Sequence, residues 1–382
     1  MEKFVYVDHS ATTYVKSEVL KEMMPYFSEN YGNASSVYGI GRVSREAVDK
    51  SRDKVASALN CKASEIYFTA GGSEADNLVI MGIARANRKK GNHIITTKIE
   101  HLAVLNTYAK LEEEGFEITY LDVNEYGLVN INDIQKAIKS TTILISVMFA
   151  NNEIGTIQPI EEIGKIAKFK DVYFHTDAVQ AIGNIKIDVQ SMNIDALSLA
   201  AHKFYGPKGI GAAYIRKGIN FQPVIFGGHQ ENNKRAGTEN VPGIVGLGKA
   251  IEIANENIDS YNNKLNELRV YALKKISQKI DNIKLNGHPE KRLPGNINIS
   301  IQGVEGESLL LMLDMSNIYA SSGSACTSGS LEPSHVLTAI GLKGDYLKGS
   351  LRITFGDQNT VEEVDYIVDK LAEIVEKLRK KV

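Results

Sequence analysis

Only two of the 382 residues are cysteine, eight are proline and none is tryptophan. Two thiols, Cys61 and Cys326, cannot build a disulfide framework, and neither sits in a Cys-x-x-Cys pair. A reducing, cytoplasmic setting is therefore expected. Charge of one sign is lacking as well: 44 Lys and Arg face 46 Asp and Glu, a formal net charge of -2. That balance argues against broad electrostatic binding to nucleic acid or to an anionic membrane. No basic-then-apolar leader is visible in the opening MEKFVYVDHSATT. The longest apolar stretch, Thr142 to Ala150, runs for about ten residues, too short to span a bilayer.

What is present is apolar material in quantity, 43% of the chain. The length suggests about two domains, since single cores stop growing near ~250–300 residues. Short apolar runs at 65–70, 93–98, 117–123, 142–150, 172–178, 195–201 and 211–217 read as strands. Amphipathic stretches such as 44–60 and 74–90 lie between several of them. Apolar strands separated by helices predict an α/β domain with a mainly parallel, doubly wound sheet, over residues 15–255. A long helical stretch follows from Ala250 to Ile280. NINISI (296–301) then alternates like a half-exposed strand, LRITFG (351–356) reads as another, and an amphipathic helix ends the chain. These predict a small α+β domain from residues 1–14 and 256–382. Within it, 321–332 begins SSGSACTSGS, too small and polar to pack a core, and a mobile loop around Cys326 is expected.

Several residues could carry chemistry. The strand at 65–70 runs into Gly71-Gly72-Ser73 and a helix, a pattern that suits either an anion site or an ordinary capping box with Ser73 as N-cap and Asp76 assisting. Asp177 ends an apolar strand, where open α/β sheets bind ligands. It could pair with a pyridinium nitrogen or simply cap the following turn, with Gln180 in reach of a ring hydroxyl. His202-Lys203 follows the strand at 195–201, and a desolvated lysine there is a nucleophile for carbonyl groups. Lys208, in the turn Gly206-Pro207-Lys208-Gly209, is its rival, and spacing leaves that choice open. Cys326 is either a used thiol or a tolerated one; Cys61 reads as structural. Gly243 to Ala250 matches a phosphate-binding loop except that Ala250 stands where Ser or Thr would bind magnesium, and no strand precedes it. Gly39-Ile-Gly41 lacks the third glycine of a dinucleotide fingerprint. Both are read as helix-start glycines.

Taken together, these residues resemble the cysteine desulfurases of the class V aminotransferase family, in the long-loop branch that serves nitrogen fixation and iron–sulfur cluster assembly. The resemblance runs from Asp8-His-Ser-Ala-Thr-Thr to the final helix through FTAGGSEADN, EHLAVL, ANNEIGTIQP, HTDAVQAIG, AHKFYGPKGIGA, RAGTEN, SSGSACTSGSLEPSHVL and SLRITFG. It implies the fold type I of pyridoxal-phosphate-dependent transferases and the cofactor pyridoxal 5′-phosphate. It implies that Lys203 binds the cofactor covalently, that His101 stacks on its ring, and that Asp177 and Gln180 meet the ring nitrogen and oxygen. Gly72, Ser73 and His202 would hold the phosphate, with Thr238 donated by the second subunit of a homodimer. Asn152 and Arg352 would grip the substrate, Asn33 would lie close by, and Cys326 would receive the sulfur as a persulfide.

Three positions depart from the pattern. Ala200 stands where many relatives have a phosphate-binding serine, and Ala34 and Tyr38 replace the more usual Pro and His. The expected reaction converts L-cysteine to L-alanine and hands sulfur to an acceptor protein, an iron–sulfur scaffold or a tRNA-thiolating enzyme. No resident metal, direct nucleic-acid contact or membrane is expected, although Cys326 could transiently ligate a cluster on a partner. The alternatives are a selenocysteine lyase, a cysteine-sulfinate desulfinase and, least favoured, a non-catalytic sulfur-carrier-binding protein. The chain stops soon after its last helix, without the extension some relatives use to dock a scaffold, which leaves the acceptor open.

Overall fold

The computed structural model describes residues 4–322 and 333–380. Cys326 and most of the segment expected to be mobile lie outside the described residues. No helix among the described residues is long and apolar enough to cross a membrane.

The seven apolar runs form one sheet: β1 (Ile66–Thr69), β2 (His93–Thr97), β3 (Glu117–Leu121), β4 (Thr142–Ser146), β5 (Tyr173–Asp177), β6 (Ala196–Ala200) and β7 (Gly211–Ile215). Their order is β1-β7-β6-β5-β4-β2-β3. Pairs β6–β5, β5–β4, β4–β2 and β2–β3 are parallel, while β7 runs against both β1 and β6. The reversal has a simple cause. A parallel crossover takes a dozen or more residues, and the return from Ala200 to Gly211 is shorter than that. The strand must fold straight back, and the return holds a tight turn at Ala201–Lys203. Lys203 is thereby fixed at the carboxyl end of β6.

Helices cover the sheet, among them α1 (Gly39–Leu59), α2 (Gly72–Asn87), α3 (Leu102–Glu113) and α4 (Val241–Glu256). The Gly243–Ala250 motif lies inside α4 and Gly39 opens α1, as the reading of both as helix glycines requires. The predicted helix from Ala250 to Ile280 is two helices, broken at Asn257.

A second sheet holds β8 (Ile283–Leu285), β9 (Asn296–Ile301) and β10 (Ser350–Thr354), antiparallel in the order β10-β9-β8. The half-exposed reading of β9 is wrong, because all six of its residues are buried. Its polar face is covered by polar partners. Asn296 and Asn298 both donate through Nδ2 to the Glu153 carbonyl at 3.1 Å, and Asn286 donates to Asn298 Oδ1 and Ser300 Oγ. Val5–Tyr6 pairs in parallel with Ile318–Tyr319, and Val5 and Val7 pack with Ile297, Ile353 and Val368. That docking carries residues 8–13 across to the large sheet.

Candidate active site

The carboxyl ends of β1, β2, β4, β5 and β6 converge on one cleft with an empty volume of about 930 Å³, its open mouth included. Its walls include Lys203, Asp177, His101, Gln180, Asn152 and Arg352, together with Gly72, Ser73 and His202. Nine of the residues singled out from sequence therefore meet in one place. Lys203, rather than Lys208, shares this wall with Asp177 and His101. Lys208 lines the adjoining hollow with Thr12, Gly71, Gly72 and Ser73, and its Nζ donates to the Thr13 carbonyl at 3.3 Å.

Each side chain is positioned by a local device. Lys203 Nζ donates to the carbonyls of Ser10 at 2.5 Å and Ala11 at 2.7 Å. Asp177 is the last residue of β5, and its Oδ1 accepts the Val179 N–H at 2.9 Å. Burial raises its carboxyl, opposed by His101, by that N–H and by Lys203. His101 caps α3: its Nδ1 accepts the Ala103 N–H at 3.1 Å, and burial lowers its pKa. The ring is therefore neutral with its proton on Nε2. His202 is pushed down to about 4 by burial, then by Lys203 and Lys208, and its Nδ1 lies 3.1 Å from Thr12 Oγ1. Gln180 Nε2 donates to the Ser10 carbonyl at 3.0 Å.

At the opposite end stands Arg352, a cation only 2% exposed. Its Nη2 donates to Asp8 Oδ1 at 2.7 Å and its Nη1 to the Asn152 carbonyl at 3.1 Å, while its Nε has no hydrogen-bond partner. Asp8 Oδ2 in turn accepts from Ser321 Oγ at 2.6 Å. A buried guanidinium with a spare donor is built to receive a carboxylate.

The capping-box reading of Ser73 does not hold. The helix α2 starts at Gly72 with Gly71 as N-cap and no side-chain cap bond, and Glu74 accepts the Ala70 N–H instead. The first amides of α2 thus face the hollow beside Thr12 and His202, an arrangement suited to an anion such as phosphate. Gly72 is required there, since a Cβ would come within 2.8 Å of Val179 Cγ2. Ala200, 1% exposed, lines the cleft without the hydroxyl a serine would bring.

Two expected residues are not brought to the cleft walls. Asn33 is exposed before α1, its Oδ1 accepting the Ser35 N–H at 2.8 Å, and Thr238 is exposed. Sequence reasoning missed Ser10, Ala11 and Asp76 as site residues. Ser10 and Ala11 act through backbone carbonyls, which carry no side-chain signal. Asp76 reads as a capping-box helper of Ser73, which hides its place in the cleft.

The aminotransferase class-V family model matches residues 5–367. The chain is 58% identical over 381 residues to cysteine desulfurase IscS of Clostridium botulinum (strain Hall), covering 99% of this chain and 96% of that one. It is 57% identical over 377 residues to the IscS cysteine desulfurase of Methanosarcina thermophila, covering 99% and 93%. Among solved structures, a NifS-like protein superposes with a TM-score of 0.93 at 38% identity, covering 98% of this chain and all 100% of that one. SspA in complex with cysteine superposes with a TM-score of 0.82 at 37% identity, covering 93% and 100%.

Proposed function

This chain belongs to the class-V aminotransferase family, and we propose that it acts there as a cysteine desulfurase, taking the sulfur of L-cysteine and releasing L-alanine. One observation carries the reading: a single cleft joins Lys203, Asp177 and His101 to the buried cation Arg352.

The resident cofactor in this reading is pyridoxal 5′-phosphate. The opening amides of α2 with Gly72, Ser73 and His202 suit its phosphate, Asp177 its ring nitrogen, Gln180 its ring oxygen and Lys203 Nζ its carbonyl carbon. When bound, it supplies a conjugated ring that takes up the electron pair left at the substrate Cα as the proton departs. Arg352 fixes the substrate carboxylate with Asn152 beside it. Lys203 Nζ moves the Cα proton. His101, with Nδ1 engaged as a helix cap, presents its Nε2–H to the substrate thiol.

The Cys326 thiolate then attacks that sulfur. An S–S bond forms, the Cβ–S bond breaks with its electron pair going to the carbon skeleton, and protonation there yields alanine. The persulfide on Cys326 passes to an acceptor, an iron–sulfur scaffold or a tRNA-thiolating enzyme, in a cytoplasmic setting. A homodimer completes the site by lending Thr238 to the partner's phosphate. The exposed apolar side chains Met24, Phe27, Tyr31 and Val37 offer the kind of surface a second copy would cover. The division into residues 15–255 and a small domain of 1–14 with 256–382 belongs to the same proposal.

Purified protein supplied with the cofactor should show a visible absorption band and release sulfide and alanine from L-cysteine with a reductant. Cys326→Ala should keep the band and lose sulfide release. A colourless wild type that takes up no cofactor would refute the reading.

A further inference from the structure

The cleft holds a second carboxyl group that the reaction above leaves unused. Asp76 lies in the second turn of α2, 1% exposed, on the same wall as Asp177. Its Oδ1 has no hydrogen-bond partner and sits 3.8 Å from His175 Nε2. That contact is not an ion pair, because burial pushes His175 down to about 3 and the imidazole is neutral. Its ring nitrogens meet hydroxyls on the strands either side: Nε2 lies 3.0 Å from Ser198 Oγ on β6, and Nδ1 lies 2.9 Å from Ser146 Oγ on β4.

Two carboxylates on one dry wall cannot both hold a charge without strong repulsion. Asp177 has a backbone N–H at 2.9 Å and the nearby Lys203 and His101 to support an anion. Asp76 has the Ser198 hydroxyl and a neutral imidazole, and both burial and the Asp177 charge drive its carboxyl well above the usual range. One set of donors satisfies the imidazole. The Ser198 O–H donates to His175 Nε2, and the His175 Nδ1–H to Ser146 Oγ.

We propose that Asp76 is a positioning residue: a neutral carboxylic acid beside the Ser198–His175–Ser146 chain, which keeps Asp177 the one charged carboxylate on the wall that faces the cofactor ring. The proposal rests on the reading of Asp177 as the ring-nitrogen partner. It deepens that reading by assigning the site's proton and charge to different carboxyls.

Infrared difference spectra at neutral pH test it in both apoprotein and holoenzyme. The carbonyl stretch of a protonated carboxylic acid should vanish in Asp76→Asn and persist in Ser198→Ala. Glu100→Gln identifies any band from Glu100, whose carboxyl burial lifts to about 8. With cofactor labelled at the ring nitrogen, the nitrogen resonance should stay in its protonated position in Asp76→Asn and move in Asp177→Asn. Loss of an ionised-carboxylate band in Asp76→Asn overturns the proposal, as does a ring-nitrogen shift as large as that of Asp177→Asn. A protein that binds no cofactor yet shows the Asp76 acid band faults the functional reading and leaves the proton assignment standing.

Discussion

At the Asp177 end of the cleft a backbone amide holds the carboxylate, with Lys203 and His101 supporting it, whereas at the Arg352 end a directly hydrogen-bonded charge pair forms. Asp177 leans on the Val179 N–H, with the uncharged His175 and its flanking serines behind it. Arg352 is clamped by the Asp8 carboxylate and the Asn152 carbonyl. The first end gathers donors and a cation around one negative charge without a direct ion pair. The second keeps a cation buried by carrying its own anion. The same low-dielectric cleft thus solves two problems with opposite devices.

The contrast can be broken at several points. The largest effect is expected from Lys203→Ala, which removes the group lying between the two ends. The visible band should disappear and turnover should fall by about 10⁴-fold or more, read by sulfide release. Next comes Asp8→Ala, which leaves Arg352 buried without its anion. Breaking such a pair costs about 3–5 kcal/mol of stability, measurable by urea unfolding, and KM for cysteine should change more than kcat. An unchanged unfolding midpoint would show that the charge pair is not what holds this end together.

A third test concerns pH. Burial raises Glu153, the neighbour of Asn152, from its ordinary 4.5 to about 7, against the Ser334 hydroxyl and Arg352, which lower it. Below pH 4.5 the group is protonated in folded and unfolded chains alike. Between 4.5 and 7 the folded chain keeps a proton that the unfolded chain releases, so its stability contribution falls as pH rises. Glu153→Gln should remove that slope and be more stable than wild type above pH 7 by up to ~3 kcal/mol, with no difference in acid. Parallel unfolding curves at pH 5 and pH 8 decide it. The smallest effect is expected at Ala200→Ser, where one added donor should tighten cofactor binding by roughly 1 kcal/mol, seen in the cofactor titration.

Much of this contrast was legible in the sequence because its carriers are side chains at strand ends. Asp177 and Lys203 follow apolar runs that could hardly be anything but buried strands, and the first strand, the loop glycines and the helix after them read correctly as a unit. The rest escaped for particular reasons. Asn296, Asn298 and Ser300 looked solvent-facing because their partners, the Glu153 carbonyl and Asn286, come from other segments. Ser73 resembled a cap because the pattern cannot reveal that Gly71 already turns the chain. The choice between Lys203 and Lys208 depended on the short return from Ala200 to Gly211, whose geometry no spacing rule contains. Asp8 was visible only as the start of a matching motif, and its grip on Arg352 spans 344 positions.

That span bears on how the protein comes to exist as well as on what it does. Residues 5–13 leave the ribosome about 300 residues before their partners Ile318, Ser321, Arg352 and Thr354. Closure of so long a loop is slow and waits for those partners. The large sheet can condense during synthesis, but the carbonyls that meet Lys203 arrive only when the amino terminus docks beside the carboxyl-terminal strands. A chain that has not yet reached Thr354 is therefore an unassembled catalyst, unable to act on cysteine.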